Sequence, residues 1–482
     1  MATISSIGIG SGLDIESMIT QLVAVERAPV TKLQTEASSL QTKLSTYGKL
    51  QSGMSALRDA AVALARGSTW GATTGSSSDA SAVAVTTSST TLPASYSIEV
   101  QRLASVQSNA TGVYASADAL VGEGTLRIEL GAWNADQSSF TPKAGATAVD
   151  ISVGPPAESL AQLRDKINAS NSGVVASVLT DASGARLVLR SAATGEMNGF
   201  RIGVTDNDGN NFDGVGLSAL AFDPSAGILT MAQALAAANA AATLNGLSIS
   251  SESNTLSNVL DGMTLTLGKV TTAPVLVEAK PDTASMRKAL DSFVTAYNDL
   301  NKLLLEQTKY DAASKSAGAL QGDSAAVSIR TQMRSLVGAS SGASAMFSRL
   351  AEVGFDVQTD GSIKLDETKL ANGLANLGEM KKLFANSDLL DTANDGIAVR
   401  LRKMADQVLG IEGSISTRSE GLRKRLELNQ DRQDMLEDRI TMIEKRLRAQ
   451  YTALDKQMAS LSSLSNYVTQ QLSALNNSNS DN

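Results

Sequence analysis

Apolar residues recur at two different periods along this chain, and the places where the period changes divide it. From Leu422 onward they follow alternating steps of three and four: Leu422, Leu426, Leu436, Ile440, Ile443, Leu447, Leu454, Leu461, Leu464, Val468 and Leu475, with Asn429, Gln433, Gln450, Gln457 and Gln471 at the remaining steps. That spacing is a coiled-coil seam. One helix carrying it would be on the order of 80 Å long at about 1.5 Å per residue, more than a single globular domain covers. It calls for partner helices. The opposite end of the chain offers one, because Leu33, Leu40, Tyr47 and Met54 recur at heptad spacing with Leu50 and Leu57 at the complementary position. The two ends are therefore expected to pack together, with everything between them inserted.

Before that stripe, LDIESMITQLVAVER reads as a short amphipathic helix over residues 13–27, with Ile15, Ile19 and Leu22 on one face and Asp14 and Glu16 in the first turn, where acids favour the helix dipole. Pro29 is expected to kink or interrupt it. Beyond Arg66 the stretch GSTWGATTGSSSDAS marks a boundary near residues 67–81. From there to about residue 280 the period becomes two, as in Tyr96, Ile98 and Val100, or Leu126, Ile128 and Leu130, or Met263, Leu265 and Leu267. These are short half-buried strands between Gly, Asn, Asp and Pro turns. A helix carrying Leu160, Leu163 and Ile167 interrupts them, and the Ala-rich segment at residues 231–242 reads as a second.

After Pro281 helical spacing resumes with Met286, Leu290, Phe293, Val294, Tyr297 and Leu300, and EVGFDVQTDGSIKLDE reads as one hairpin turning at Asp360-Gly361. The expected fold is multidomain α+β: a helical coiled-coil stem built from both termini, with inserted β-rich head domains. The expected parts are a terminal leg region of residues 1–38 with 445–482, disordered in the free monomer; a helical stem of 39–75 with 283–444; an inner β-rich head of 76–112 with 236–282; and an outer inserted α/β head of 113–235.

Composition narrows the chemistry. Among 482 residues there is no His and no Cys, which removes the commonest general base, thiolate nucleophiles, disulfides and sulfur-ligated zinc. Ser-His-Asp and Cys-His catalysis are excluded. A net charge of -8 argues against broad nucleic-acid binding, which needs a positive field. Hydrophobic residues at 42% permit real cores, while only 19% of residues are charged and 4% aromatic, a profile closer to extracellular filament proteins than to enzymes. No run reaches the roughly 20 apolar residues of a membrane helix. MATISSIGIGSGLDIES has neither a basic start nor an apolar core, so export is expected by a route that leaves this segment uncleaved.

Several motifs invite sharper readings. Gly8, Gly10 and Gly12 are spaced G-x-G-x-G with no strand before them, which fits a flexible leader better than a dinucleotide loop. Asp356, Gln358, Asp360, Gly361, Ile363 and Glu367 fall at calcium-loop positions, but the entering side alternates like a strand, where an EF-hand needs a helix. A hairpin with Asp366 as an N-cap is the better reading. Asp206, Asp208 and Asn210 read as an Asx-rich turn before a calcium site. The basic residues from Arg418 to Arg448 alternate with acids, with Glu420 to Lys424 and Glu444 to Arg448 at i,i+4 spacing, so a solvated or intersubunit helix face is expected. Trp70 and Trp133 read as core or interface anchors.

SIGIGSGLDIESMITQLVAVERAPVTKL, SYSIEVQRLASVQ, SLAQLRDKINASNSGVVASVLTDASGARLVLRS, DSFVTAYNDLNKLL, GALQGDSAAV, GFDVQTDGSIKLDETKL and YTALDKQMASLSSLSNYVTQQL follow one another in order over nearly the whole chain. This ordered set resembles the bacterial flagellar filament cap family, also called hook-associated protein 2. The resemblance implies export through the flagellar channel, a secreted extracellular location at the flagellum tip, a homo-oligomeric ring, and help to arriving flagellin as it folds and inserts. It also implies the hook-filament junction protein as a neighbour and a flagellar export chaperone at the C-terminal helix.

Two other readings compete with it. An extracellular adhesin would use the heads on host mucin or glycan, and a second axial component, a junction protein or flagellin, would share the helical ends. A carboxylate-dependent glycosidase lacks any nominated pair of acids. No catalytic, cofactor or metal residue is expected. The assembly residues expected along the coiled coil are Ile15, Ile19, Leu22, Leu33, Leu40, Leu447, Leu454, Leu461, Leu464 and Val468.

Overall fold

The computed structural model describes residues 14–313 and 315–478, and the chain divides into two compact units, Met1–Trp70 with Met286–Asn482 and Gly71–Ser285. The glycines at 8, 10 and 12 lie outside the described residues.

The first unit is helical. Its N-terminal helix, Ile15–Ala65, begins where the Asp14 side chain accepts a hydrogen bond from the Ser17 amide at 3.0 Å. Pro29 sits inside this helix without breaking it, contrary to the expected interruption. Val25 and Pro29 are both exposed, so water can satisfy the carbonyl that a residue-29 amide would have met. Val23 and Val30 meanwhile stay buried against the C-terminal helix, and that packing outweighs one lost backbone bond.

At the other end of the same helix two orphan carbonyls find side-chain donors. Thr69 Oγ1 donates to Ala63 O at 2.6 Å and Trp70 Nε1 to Leu64 O at 2.8 Å. The Trp70 ring then stacks on Phe384 with centroids 5.3 Å apart, tying the chain's exit from the helix to the unit's core.

The C-terminal helix, Ser414–Ser478, runs antiparallel to the N-terminal one, since Glu16 meets Arg448 and Arg27 meets Glu437. From Leu40 the N-terminal helix buries Tyr47, Leu50, Met54, Leu57, Ala61 and Leu64. They join Leu290, Phe293, Tyr297 and Leu300 of the helix Thr283–Thr308, and Leu401, Ala405 and Val408 of the helix Ile397–Leu409, in one core.

A hairpin of Phe355–Val357 and Ile363–Leu365 closes this core. Asp360 accepts from the Ser362 amide at 2.9 Å and its hydroxyl at 2.7 Å, and Gly361 takes φ +88°, a left-handed conformation that favours glycine. Asp366 then caps the helix Glu367–Leu374, accepting from Thr368 N at 2.9 Å and Lys369 N at 3.0 Å. Asn298 fastens the hairpin to the helix Thr283–Thr308: its carboxamide donates to Ile363 O at 2.8 Å and accepts from Ile363 N at 2.7 Å. The segments YNDL and KLDETKL are thus a single packed device.

The second unit is β-rich and has two cores. The inner core lies between a five-stranded antiparallel sheet, ordered Thr73–Ser77, Val275–Pro281, Ala94–Arg102, Ala240–Leu244 and Leu247–Ser251, and a three-stranded sheet of Thr255–Leu260, Met263–Leu267 and Val83–Thr87. The first and last strands of the unit are neighbours, Thr73 opposite Pro281. In the outer core, the helix Leu160–Ala169 packs with strands including Gly124–Trp133, Gly199–Asp206, Val174–Asp181 and Gly184–Ser191.

The Ala-rich segment is not a helix. Ala232–Leu235 pairs with Ser108–Ala110, and Ala240–Leu244 runs between two strands of the inner sheet. Helix propensity favours Ala by only tenths of a kcal/mol per residue, and here sheet pairing with Ala240 and Ala242 turned into the core overrides it.

Candidate functional site

The two chain ends meet over a short apolar contact. Ile15, Ile19, Val23 and Val30 are buried with Ile440, and Leu436, Leu447 and Tyr451 pack against them partly exposed. Beside this patch Arg448 donates to both Glu16 oxygens at 2.7 and 2.6 Å, and its Nε meets Glu444 at 3.0 Å. The guanidinium holds the Glu16 carboxyl below the usual glutamate range. Of the expected i,i+4 pairs Glu444 to Arg448 forms, whereas Glu420 and Lys424 make no ion pair among the described residues.

Leu22 is not part of this contact. It is 42% exposed and lies in a row with Met18 and Val25, because after Ile15 and Ile19 the next residue on the buried side is Val23, a further step of four. Leu33 is half-buried and Leu40 buried. On the C-terminal helix the less exposed positions follow the expected seam from Leu422 through Leu447, and then Tyr451 takes the place of exposed Gln450. A straight helix of 3.6 residues per turn drifts past a 3.5-residue repeat by this kind of slip.

Polar residues interrupt the seam where expected. Asn429 is buried, and Gln433 Nε2 donates to its Oδ1 at 2.6 Å, while its Nδ2 has no partner among the described residues.

Past Tyr451 the C-terminal helix continues for roughly 40 Å at about 1.5 Å per residue. Along it Leu454, Met458, Leu461, Leu464, Tyr467, Val468 and Leu472 are exposed, from 41% for Met458 to 61% for Leu472. No element among the described residues covers them; the side chain of Leu475 lies outside those residues. Burying a half-exposed side chain of this size is worth on the order of 1 kcal/mol, so this face carries several kcal/mol of unspent docking free energy. Of the expected assembly residues, Ile15, Ile19 and Leu447 belong to the contact between the chain's own ends, Leu40 is buried and Leu33 half-buried, while Leu22, Leu454, Leu461, Leu464 and Val468 are exposed.

Elsewhere the acidic loops are occupied by their own backbone. Asp206 accepts from Ser218 N at 2.8 Å, and Asp208 from Asn210 N at 2.8 Å, as an Asx-rich turn requires. No group of His, Cys, Asp and Glu suited to a metal ion occurs among the described residues. Trp133 packs on Phe140 and Phe222 and donates from Nε1 to Phe200 O at 3.2 Å, so it is an anchor of the outer core.

Models of the N-terminus and C-terminus of flagellar hook-associated protein 2 match residues 11–107 and 237–463, and that of a flagellin hook IN motif matches residues 139–193. Flagellar hook-associated protein 2 of Escherichia coli K12 is 32% identical over 495 residues, covering 100% of both chains. This chain belongs to the flagellar hook-associated protein 2 family. The B-type flagellar hook-associated protein 2 of Pseudomonas aeruginosa PAO1 is 30% identical, covering 98% of each. The crystal structure of the D1-D2-D3 domains of the flagellar cap protein from Escherichia coli matches with a TM-score of 0.61 at 29% identity, covering 78% of this chain and 99% of that one. The hook-associated protein 2 family is one of structural flagellar cap proteins rather than enzymes. No helix among the described residues of this chain is long and apolar enough to cross a membrane.

Proposed function

We propose that this chain caps the distal end of the flagellar filament outside the cell, as a small homo-oligomeric ring beneath which exported flagellin subunits fold and insert. The observation that carries this reading is the apolar row from Leu454 to Leu472, exposed at the end of a helical shaft made by both chain ends. Such a row needs an apolar partner, and in this reading the filament end beneath the cap supplies one. The absence of cysteine leaves no crosslink to hinder passage of an unfolded chain through a narrow channel.

In this reading the terminal leg region of residues 1–38 with 445–482 docks on the filament and its neighbours, including the hook-filament junction protein before the filament grows. The stem of 39–75 with 283–444 holds the ring and carries the inner head of 76–112 with 236–282 and the outer head of 113–235 as insertions. The leg is marginal in the free chain, since its described contact with the rest rests on few buried side chains, and an export chaperone shields its C-terminal helix before secretion.

The test is a strain whose chromosomal copy stops after Tyr451. It should release unpolymerised flagellin into the medium and make no filament, with full-length chain supplied in trans restoring both. Filaments of normal length from the truncated chain would reject the reading.

A further inference from the structure

Two leucines stand almost wholly in water at the tip of one loop. Leu389 and Leu390 are 96% and 99% exposed, a position that gives the fold no burial in return for a large apolar pair. The loop does not let them fold back. Asp388 accepts from the Leu390 amide at 2.9 Å, the Asp391 amide at 3.2 Å and the Asn394 carboxamide at 3.0 Å, and its own amide donates to buried Asp395 at 2.9 Å. At the foot of the loop Ala393 O accepts from Arg400 Nη2 at 2.6 Å and from Gly342 N at 3.1 Å. An apolar pair on a backbone already held in place is a preorganised anchor, since a partner can cover it without first ordering the loop.

The helical unit offers a receptor on another side. Between the N-terminal helix and the helix Thr283–Thr308 lies an open cleft of about 580 Å³ lined by Ala56, Ala60, Ser292, Thr295 and Ala296. Lys288 stands at one end of it, exposed and in no ion pair among the described residues, and Asp299 at the other. Asp291 between them is taken by Arg287 at 3.0 Å. Two further hollows of this unit suit the leucines less. One is walled by Lys43, Glu412, Arg418 and Arg425, and the other is lined by Asp391, Thr392 and Ala393, the foot of the loop itself.

Loop and cleft are set apart by the packing between them. The loop joins the helix Leu377–Ala385 to the helix Ile397–Leu409 and is tied at Gly342, just past the helix Ser324–Gly338. The hairpin at Asp360-Gly361 separates Ser324–Gly338 from Thr283–Thr308, being fastened to Asn298 on one and lying beside Arg334 on the other. The N-terminal helix packs on both Thr283–Thr308 and Ile397–Leu409 and stands between them. A copy that inserts its loop into a neighbour's cleft therefore keeps its own cleft free for a third. Such a head-to-tail contact builds a ring when its rotation closes, whereas a face that meets its own copy stops at two.

Charge sets the direction of the loop along the cleft. Asp391 spends one oxygen on the Ala393 amide at 2.8 Å, and a carboxylate accepts at both. Its other oxygen suits Lys288, while Asp299 at the far end repels the acids of the loop.

We infer that Leu389 and Leu390 insert into the cleft between the N-terminal helix and the helix Thr283–Thr308 of the next copy, with Asp391 facing Lys288 of that copy. The inference rests on the self-association in the proposed function and adds to it the two surfaces that meet and the order in which they repeat. Two leucines and one ion pair bury less than a standard interface, so a single contact is weak and gains from repetition round a ring.

The experiment exploits the cysteine-free sequence. Full-length chains carrying Leu390→Cys and full-length chains carrying Ala296→Cys are oxidised mildly, apart and mixed, with Gln430→Cys chains replacing Ala296→Cys as control. The mixture should give a 390–296 disulfide at least tenfold above the control, with neither chain linking to its own kind above it. One chain carrying both cysteines should give a covalent ladder that runs past the dimer. Lys288→Asp in the cleft chain should cut the 390–296 yield several-fold, and Asp391→Lys in the loop chain should restore it, with helicity by circular dichroism unchanged throughout.

Links of 390 to 390 in place of 390 to 296 overturn the head-to-tail order. An oligomer of unaltered size in which no 390–296 link exceeds control overturns this contact while leaving the cap reading intact. A disulfide from the Leu390→Cys chain to an added flagellin that carries an introduced cysteine, with none between copies, assigns the loop to that partner and also overturns the inference. Absence of any oligomer for the unmutated full chain removes the self-association on which both rest.

Discussion

Replacing Asn298 by Ala should loosen the helical unit by about 2–4 kcal/mol. Its carboxamide is the partner of both backbone polar groups of Ile363, donating at 2.8 Å and accepting at 2.7 Å, and Ile363 is only 3% exposed. Each lost bond is worth about 1 kcal/mol net, and each buried group left unpaired costs about 1–3 kcal/mol, with partial overlap between the two. Asn298→Asp keeps the acceptor but sets a carboxylate against the Ile363 carbonyl, so it should not rescue. The assay follows from the placement of the two tryptophans, Trp70 in the helical unit and Trp133 in the β-rich one. In a Trp133→Phe background, guanidinium unfolding read by Trp70 fluorescence reports the helical unit alone. Because the chain has two units, a single transition cannot be assumed for the unmodified protein, and the single-tryptophan background removes that ambiguity. A loss below about 0.5 kcal/mol, under the worth of one net hydrogen bond, would refute the argument that Asn298 fastens the hairpin.

Three further outcomes follow from other contacts. Ile440→Ala removes the one C-terminal side chain fully enclosed by Ile15, Ile19, Val23 and Val30, so amide protection over residues 15–30 should fall by about 2–4 kcal/mol while protection around Met54 is unchanged; equal loss at both sites would contradict a separate terminal contact. Arg448 depresses the Glu16 carboxyl below its ordinary value of 4.5, so the support from this pair is complete above that pH and disappears as pH falls through the lower folded value. Protection factors at residues 15–23 should therefore drop on acidification below pH 4.5, and Glu16→Gln should remove that dependence; an identical profile in the variant would exclude the pair as its source. Finally, Leu461→Ser with Val468→Ser should abolish filament growth with the Trp70 unfolding midpoint unmoved, because both side chains are exposed at 60% and 47%; wild-type motility in this variant would separate the exposed row from assembly.

Much of the helical unit is readable from sequence because its seams keep strict spacing. Tyr47, Leu50, Met54 and Leu57 are identifiable from period alone, and so is the C-terminal seam as far as Leu447. Spacing misleads where two answers differ by less than a turn: Leu22 against Val23, or Gln450 against Tyr451, where a one-residue shift turns a side chain by about 100°. It misleads again at Pro29, since the rule against proline in helices presumes a carbonyl that water cannot reach. The alanine strands at 232–244 are hidden because small side chains carry little periodic signal, and only the neighbouring strands decide their state. Asn298 gives no signal either. Its partner lies 65 residues away, and a lone Asn on a helix does not announce a distant backbone. The Leu389-Leu390 pair is visible in the sequence, but a lone apolar pair has no period that tells whether it is buried or exposed.

The pairing of Thr73–Ser77 with Val275–Pro281 has a consequence for how such chains diversify. Polypeptide enters and leaves the β-rich unit along two touching strands, so the roughly 200 residues between them behave like a plug-in cassette on a two-pin connector. Swapping that cassette for another of unrelated sequence, or for a tight turn joining the two pins, costs the helical body no backbone hydrogen bond of its own. The sequence of that cassette is thus free to vary at a pace that the helical seams cannot match.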